Sequence, residues 1–196
     1  MIQTLVDFLF SHPHISDFLR SILEKNFVQT RRVIRKELDT KKKTLDVGCG
    51  TGIFSGMFKN YTGIDISSKY LCYARRKYGG YFALMDASHL TFKGQSFHNV
   101  LVVGVLHHLD DATFSAVLSG IKRVLKKDGM VLVLEDIPTR KKHNYLGRLV
   151  HLFDSGGHIR NPDAYEKLLK GHFHVKKYYP VRSGVCDYGV YVLTKE

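Results

Sequence analysis

Three glycines at alternate positions, Gly48, Gly50 and Gly52, follow a short apolar run in "TLDVGCGTGIFS" (residues 44–55). Glycines spaced in this way leave the backbone bare, so that its amides can approach a polar or anionic ligand with no side chain between them. The segment leads into "IFSGMF", which reads as the start of a helix with its N-terminus toward that ligand. A dinucleotide loop needs a third glycine where Ile53 stands, and no P-loop lysine follows, so dehydrogenase and NTPase chemistry are disfavoured. Two acids lie downstream, Asp65 closing "YTGIDI" and Asp86 closing "YFALMD". At a strand end the first can accept both hydroxyls of a ribose and the second an exocyclic amine. Each could instead cap the helix that follows it.

Two further groups could handle a proton or an acceptor. His107 and His108 follow the apolar run "NVLVVGVL", at the carboxyl edge where doubly wound sheets bind ligands, and either could be a general base. An architectural or cofactor-side role is the alternative. Asp154, His158 and Arg160 stand in "DSGGHIR", where the paired glycines suit a hinge. His158 is then a further candidate for catalysis and Arg160 for pairing with an acidic acceptor group. A plain surface turn is the competing reading.

These residues need a scaffold, and the hydropathy pattern supplies one. Strand-length apolar runs occur at 44–48, 61–66, 81–86, 99–106 and 130–136. Before the last of them a helix carries Phe114, Val117, Leu118, Ile121, Val124 and Leu125 on one face, with Asp110 and Asp111 at its start and Lys126 and Lys127 at its end. Strand and helix in alternation imply a parallel, doubly wound α/β sheet. A covering helix is expected over 15–38 and another helix from Pro162 to Gly171. The runs "FHVKKYYPV" and "DYGVYVLTK" read as a closing antiparallel hairpin.

A chain of 196 residues suits one domain, with N-terminal covering helices over 1–41 and an acceptor-side insertion or lid over 137–161. No apolar stretch approaches the roughly 20 residues of a membrane span, and no basic leader with a cleavage site opens the chain, so a soluble cytoplasmic protein is expected. Cys49, Cys72 and Cys186 lack metal-ligand spacing and are expected to be reduced thiols, with no metal bound. The formal net charge is +12, with basic clusters in "TRRVIRKELDTKKK" (30–43) and "RKKHNYLGR" (140–148). Such a field favours an anionic partner without choosing among a metabolite, a membrane surface and nucleic acid.

The segments "LDVGCGTGIFS", "GIDIS", "MDAS", "VLVVGVLHHLDD" and "LKKDGMVLVLED" resemble, in order and spacing, the motif series of class I S-adenosylmethionine-dependent methyltransferases. The resemblance spans about residues 42–136 and implies a mostly parallel seven-stranded sheet with an antiparallel last strand, a Rossmann-like fold. It places Gly48, Gly50 and Gly52 beneath the methionine part of S-adenosylmethionine and Asp46 near its ammonium group. Asp65 would hold the ribose hydroxyls, Ile66 would lie against the adenine, and Asp86 with Ala87 would meet the adenine edge. Gly104 and Val105 would border the methyl donor. The implied activity is methyl transfer to a small or lipid-like acceptor, at oxygen, nitrogen or carbon. The Pro-Pro-aromatic pattern of nucleobase amine methylation and a Pro-Cys nucleophile are both missing. RNA or protein methylation stays open on charge, as does a non-catalytic cofactor-binding module. Nucleic acid is not the expected partner. A peripheral membrane contact through the helix carrying Arg31, Arg32, Arg35 and Lys36 also stays open.

Overall fold

The apolar runs become strands β1 (Lys43–Val47), β2 (Asn60–Asp65), β3 (Tyr81–Leu84), β4 (Phe97–Val103), β5 (Leu125–Asp136), β6 (His174–Ser183) and β7 (Cys186–Thr194). In a computed structural model that describes residues 12–141, 143–153 and 157–195, they pair as one seven-stranded sheet of order β3-β2-β1-β4-β5-β7-β6. Strands β1 to β5 pair in parallel, and β7 runs antiparallel to both β5 and β6. The Rossmann-like sheet with an antiparallel last strand is therefore present.

Its central strands are apolar on both faces, as a sheet covered by helices on both sides requires. Val100 and Val102 of β4 join Leu45, Val47, Val131 and Val133 in one core, whereas Leu101 and Val103 face the other with Leu132 and Leu134. The helices are α1 (Pro13–Leu23), α2 (Val28–Glu37), α3 (Ser68–Tyr78), α4 (Asp111–Val124), α5 (Tyr145–Phe153) and α6 (Pro162–Lys170). Helix α4 covers the first core with Phe114, Val117, Leu118 and Ile121, while Val33 and Ile34 of α2 enter the second. Asp110 caps α4 by accepting from the Thr113 amide at 2.8 Å, and Asn161 caps α6 by accepting from that of Ala164 at 2.8 Å.

Three expectations need correction. The covering helix of 15–38 is two helices, broken where Lys25, Asn26 and Phe27 all take left-handed φ angles of 50 to 56°. Buried Phe27, packed edge-on against Phe54 at 5.7 Å, helps to hold this unfavourable turn. The glycine loop leads into no α-helix. Only a single 3-10 turn, Ser55–Met57, separates it from β2, because the short connection ending at Lys59 is taken up by the glycine turns and Gly56. Finally, Lys126 and Lys127 belong to β5, and Lys122 and Arg123 provide the cations of the last turn of α4.

Candidate cofactor and acceptor site

The glycine loop leaves the carboxyl end of β1 and lies against the turn that follows β4. Gly48 has φ +67°, and a Cβ there would collide with the Val105 side chain, so only glycine lets the two loops meet. Gly50 has φ +52° and an open flank, where a Cβ would find only the Tyr70 ring at 3.9 Å. Its amide donates to Asp65 Oδ2 at 2.8 Å, and the Ser67 amide donates to Asp65 Oδ1 at 2.8 Å. The acid at the end of β2 thus ties down the loop's middle. Burial raises its pKa against the pull of these amides. Beside it Ile66 is 77% exposed, and Leu84, which pairs with Asp65 across the sheet as a register partner, is also exposed. Two apolar side chains left bare next to a carboxylate suit a flat base attached to a ribose.

Asp46, expected near the ammonium group of the cofactor, stands at the end of β1. It is buried beneath the loop and accepts from the Tyr61 hydroxyl at 2.6 Å. Burial pushes its carboxyl up to about 7 despite that hydrogen bond, and the nearby Asp65 charge adds to the rise. Asp86 is exposed and caps the turn Ala87–His89 through the Ser88 amide at 2.8 Å and hydroxyl at 2.7 Å, which lower its pKa. Its capping role is real, and its remaining surface faces solvent beside Ala87.

At the end of β4, Gly104 (φ +63°) starts a turn organised by one carboxylate. Glu135, fully buried near the end of β5, accepts the amides of Val105 at 2.9 Å and Leu106 at 2.8 Å, and meets Nδ1 of His107 at 2.8 Å. The buried His107 is therefore held in the framework, while His108 is exposed with its ring 4.1 Å from that of His107. Glu135 was not among the expected site residues. Its trace in the sequence is an acid ending the apolar run "MVLVLED".

The segment before α6 docks on the same turn. The His158 amide donates to the His107 carbonyl at 2.9 Å, which brings His158 beside the histidine pair. Arg160 is committed to the protein itself. It donates to the carbonyls of Leu106 at 3.2 Å and Leu109 at 2.7 Å, pairs with Asp111 at 2.7 Å, and lies over the Phe114 ring at 5.2 Å. Those bonds leave its guanidinium no open edge for the expected acidic acceptor. Asp154 and Gly156 lie outside the described residues.

A polar cluster missed in the sequence lies at the end of β5, next in chain to Glu135. Glu24, which caps the end of α1, accepts from Arg20 at 3.1 Å; the Tyr188 hydroxyl of β7 is near enough to lower its pKa as a hydrogen-bond donor, and the Asp136 charge of β5 near enough to raise it. His151 of α5 brings Nε2 to 3.7 Å from Asp136 Oδ1. Burial raises the Glu24 pKa against the opposing Arg20 charge. Glu24 Oε2 and His151 Nε2 are buried with no hydrogen-bond partner among the described residues. Buried polar atoms without partners are uncommon and mark places where another molecule can satisfy them.

The donor set fits a nucleoside cofactor with a cationic tail: bare loop backbone, a strand-end acid, and exposed apolar side chains beside it. Fold and site together have the form of a Rossmann-like methyltransferase domain. Residues 45–133 match the family model described as a methyltransferase domain. The protein MJ1252 of Methanocaldococcus jannaschii is 33% identical over 103 residues, covering 52% of this chain and 40% of its own. Demethylmenaquinone methyltransferase of Thermotoga maritima is 30% identical over 131 residues, covering 63% of this chain and 56% of its own. The chain thus spans about half the length of these curated relatives. Among solved structures, the PH0226 protein of Pyrococcus horikoshii superposes with a TM-score of 0.68 at 21% identity, covering 90% of this chain and 96% of its own. These likenesses are to S-adenosylmethionine-dependent methyltransferases, and the cofactor they imply for the site is S-adenosylmethionine.

Proposed function

We propose that the protein transfers a methyl group from S-adenosylmethionine to a small or lipid-like acceptor that binds over the ends of β4 and β5. When bound, the cofactor supplies a methyl group on a sulfonium, already activated for transfer. Gly48, Gly50 and Gly52 would lie under its methionine part, Asp65 would accept the ribose hydroxyls, Ile66 would cover the adenine, and Asp86 with Ala87 would meet its edge. Gly104, whose amide donates to the Leu134 carbonyl, and Val105, held by Glu135, would border the reacting carbon. What remains for the protein is to align an acceptor and exclude water, which can account for most of the acceleration.

The observation that carries the acceptor assignment is the pair of orphaned buried atoms, Glu24 Oε2 and His151 Nε2. They sit beside the strand end that shapes the methyl-donor turn. An acceptor hydroxyl placed there would donate its one proton to His151 Nε2, and an amine, with a second hydrogen, would also donate to Glu24 Oε2. His151 would take its proton, and Asp136 would stabilise the resulting imidazolium. In this reading His107 and His108 shape the turn, and His158 borders the same turn from the following segment. The demethylmenaquinone methyltransferase named above supports a lipid-like acceptor.

A panel of phenolic, quinol, amine and carboxylic acceptors, incubated with methyl-labelled cofactor, tests the proposal. The expected result is label in one acceptor class, lost in His151→Gln while S-adenosylhomocysteine affinity is kept. Full turnover by His151→Gln would remove it from proton transfer. Label appearing only in RNA or protein would overturn the acceptor class.

A further inference from the structure

Helices α1 and α5 turn polar groups inward and leave an apolar ridge outside. On α1 the fully buried residues are polar, Ser16 and Asp17, and Arg20 bonds the buried cap Glu24, with Ile15, Leu19 and Leu23 half-buried. The opposite side carries Phe18 and Ile22, one turn apart, 64% and 60% exposed. On α5 the inward side has Gly147, whose Cβ would meet the Val185 carbonyl at 2.6 Å, His151 beside Asp136, and Val150, half-buried against the core. Outward stand Tyr145, Leu146 and Leu149, exposed by 69%, 49% and 46%. A helix covering a soluble core shows the reverse arrangement. Helix α2 does so, since Val33 and Ile34 are buried while Arg32, Arg35 and Lys36 are exposed, so it offers no apolar face to a membrane.

The two helices share one anchor. The Val185 amide donates to the Leu23 carbonyl at the end of α1 (2.9 Å), and the Val185 carbonyl accepts from Asn144 Nδ2 just before α5 (2.8 Å). Their apolar ridges therefore flank the same β6–β7 turn. Arg140, Lys141, His143 and Arg148 surround the α5 ridge, and all four are exposed.

From this arrangement we propose that the outer faces of α1 and α5 form a docking surface for an anionic lipid bilayer. Phe18, Ile22, Tyr145, Leu146 and Leu149 enter the boundary between headgroups and acyl chains, while the neighbouring cations meet lipid phosphates. The charge argues against a second copy of the chain on this surface. A two-fold contact would set the patch against itself and bring the same cations face to face. The inference does not rest on the acceptor assignment.

Co-sedimentation of the full chain with phosphatidylcholine vesicles, with and without phosphatidylglycerol, tests it. The wild type should sediment with the anionic vesicles alone and be released by salt. The pairs Leu146→Ser/Leu149→Ser and Phe18→Ser/Ile22→Ser should each reduce binding about tenfold or more. As these side chains face solvent, melting temperature and S-adenosylhomocysteine affinity should hold steady. Equal binding to neutral vesicles, or serine pairs that bind like the wild type, would overturn the proposal. So would a concentration-dependent dimer, lost in both pairs, in a protein that ignores vesicles.

Discussion

The Asp17 carboxylate of α1 accepts a hydrogen bond from the Thr51 hydroxyl inside the glycine loop, 34 residues further along the chain. Its other oxygen takes the Tyr73 hydroxyl at 2.9 Å and Lys77 Nζ at 3.0 Å, both from α3. One buried acid thus joins the N-terminal helix, the glycine loop and the helix after β2. Asp17→Ala should cost about 1.5–3 kcal/mol of stability, the worth of hydrogen bonds to a charged group. It should also weaken S-adenosylhomocysteine binding by freeing the loop. Thr51→Ser should keep the link, whereas Thr51→Val should lose it. Calorimetry on the three variants checks this, and wild-type affinity in both Asp17→Ala and Thr51→Val would show that the loop holds its shape unaided.

Asp65 should matter more for binding than for folding. Its two amide bonds to Gly50 and Ser67 hold the loop, and its free lone pairs suit ribose hydroxyls. Asp65→Ala is expected to weaken S-adenosylhomocysteine by about 1.5–3 kcal/mol. Asp65→Asn should weaken it less in structural terms, but it cannot accept from both Gly50 and Ser67 in the same orientation. Unchanged affinity in Asp65→Ala, measured by titration calorimetry, would remove the ribose assignment.

Asp46 predicts a pH dependence with a definite sign. Its folded pKa is raised to about 7, above the usual carboxylate range. Across that window the folded protein keeps a proton that the unfolded chain has lost. The contribution to stability is therefore fully present at low pH and falls as pH rises toward about 7. Asp46→Asn, which keeps an oxygen for the Tyr61 hydroxyl, should flatten this slope in denaturant titrations. A cationic ligand above the loop would draw the proton off, so S-adenosylmethionine affinity should rise with pH in the wild type and stay flat in the variant. Parallel pH profiles for the two proteins would show that Asp46 does not titrate in this range.

What could be read from the sequence was what local pattern encodes. The apolar runs, the alternating glycines, and Asp65 and Asp86 at strand ends all carry their signal within a few residues. Asp17, Glu24 and His151 carry none, because each acquires its meaning from partners far along the chain. Glu135 joins an amide 29 residues before it, and only strand pairing between β4 and β5 brings the two together. Periodicity marked α1 as amphipathic but could not tell which residues turn inward, and here the fully buried ones are polar. The missing helix after the glycine loop has a similar origin. "IFSGMF" has helical hydropathy, but β2 begins at Asn60, and parallel pairing with β1 fixes where it must start.

Arg160 separates a structural role from an acceptor role most cleanly. The guanidinium bridges Asp111 at the start of α4 and the carbonyls of Leu106 and Leu109, and so fastens the turn that follows β4. Arg160→Ala would leave these carbonyls short of a donor and remove the cation over the Phe114 ring. We predict a loss of about 1.5–3 kcal/mol in stability. Arg160→Lys should recover part of that loss, since an ammonium reaches Asp111 but cannot fork across both carbonyls. His158 joins the turn through its backbone amide, so His158→Ala should leave stability near wild type. Thermal denaturation of the three variants, alongside turnover on the acceptor found in the panel, decides the matter. An Arg160→Ala protein of wild-type stability that has lost turnover would return Arg160 to the acceptor; lost stability in Arg160→Ala, partly recovered in Arg160→Lys and absent from His158→Ala, keeps it as the fastener of the turn.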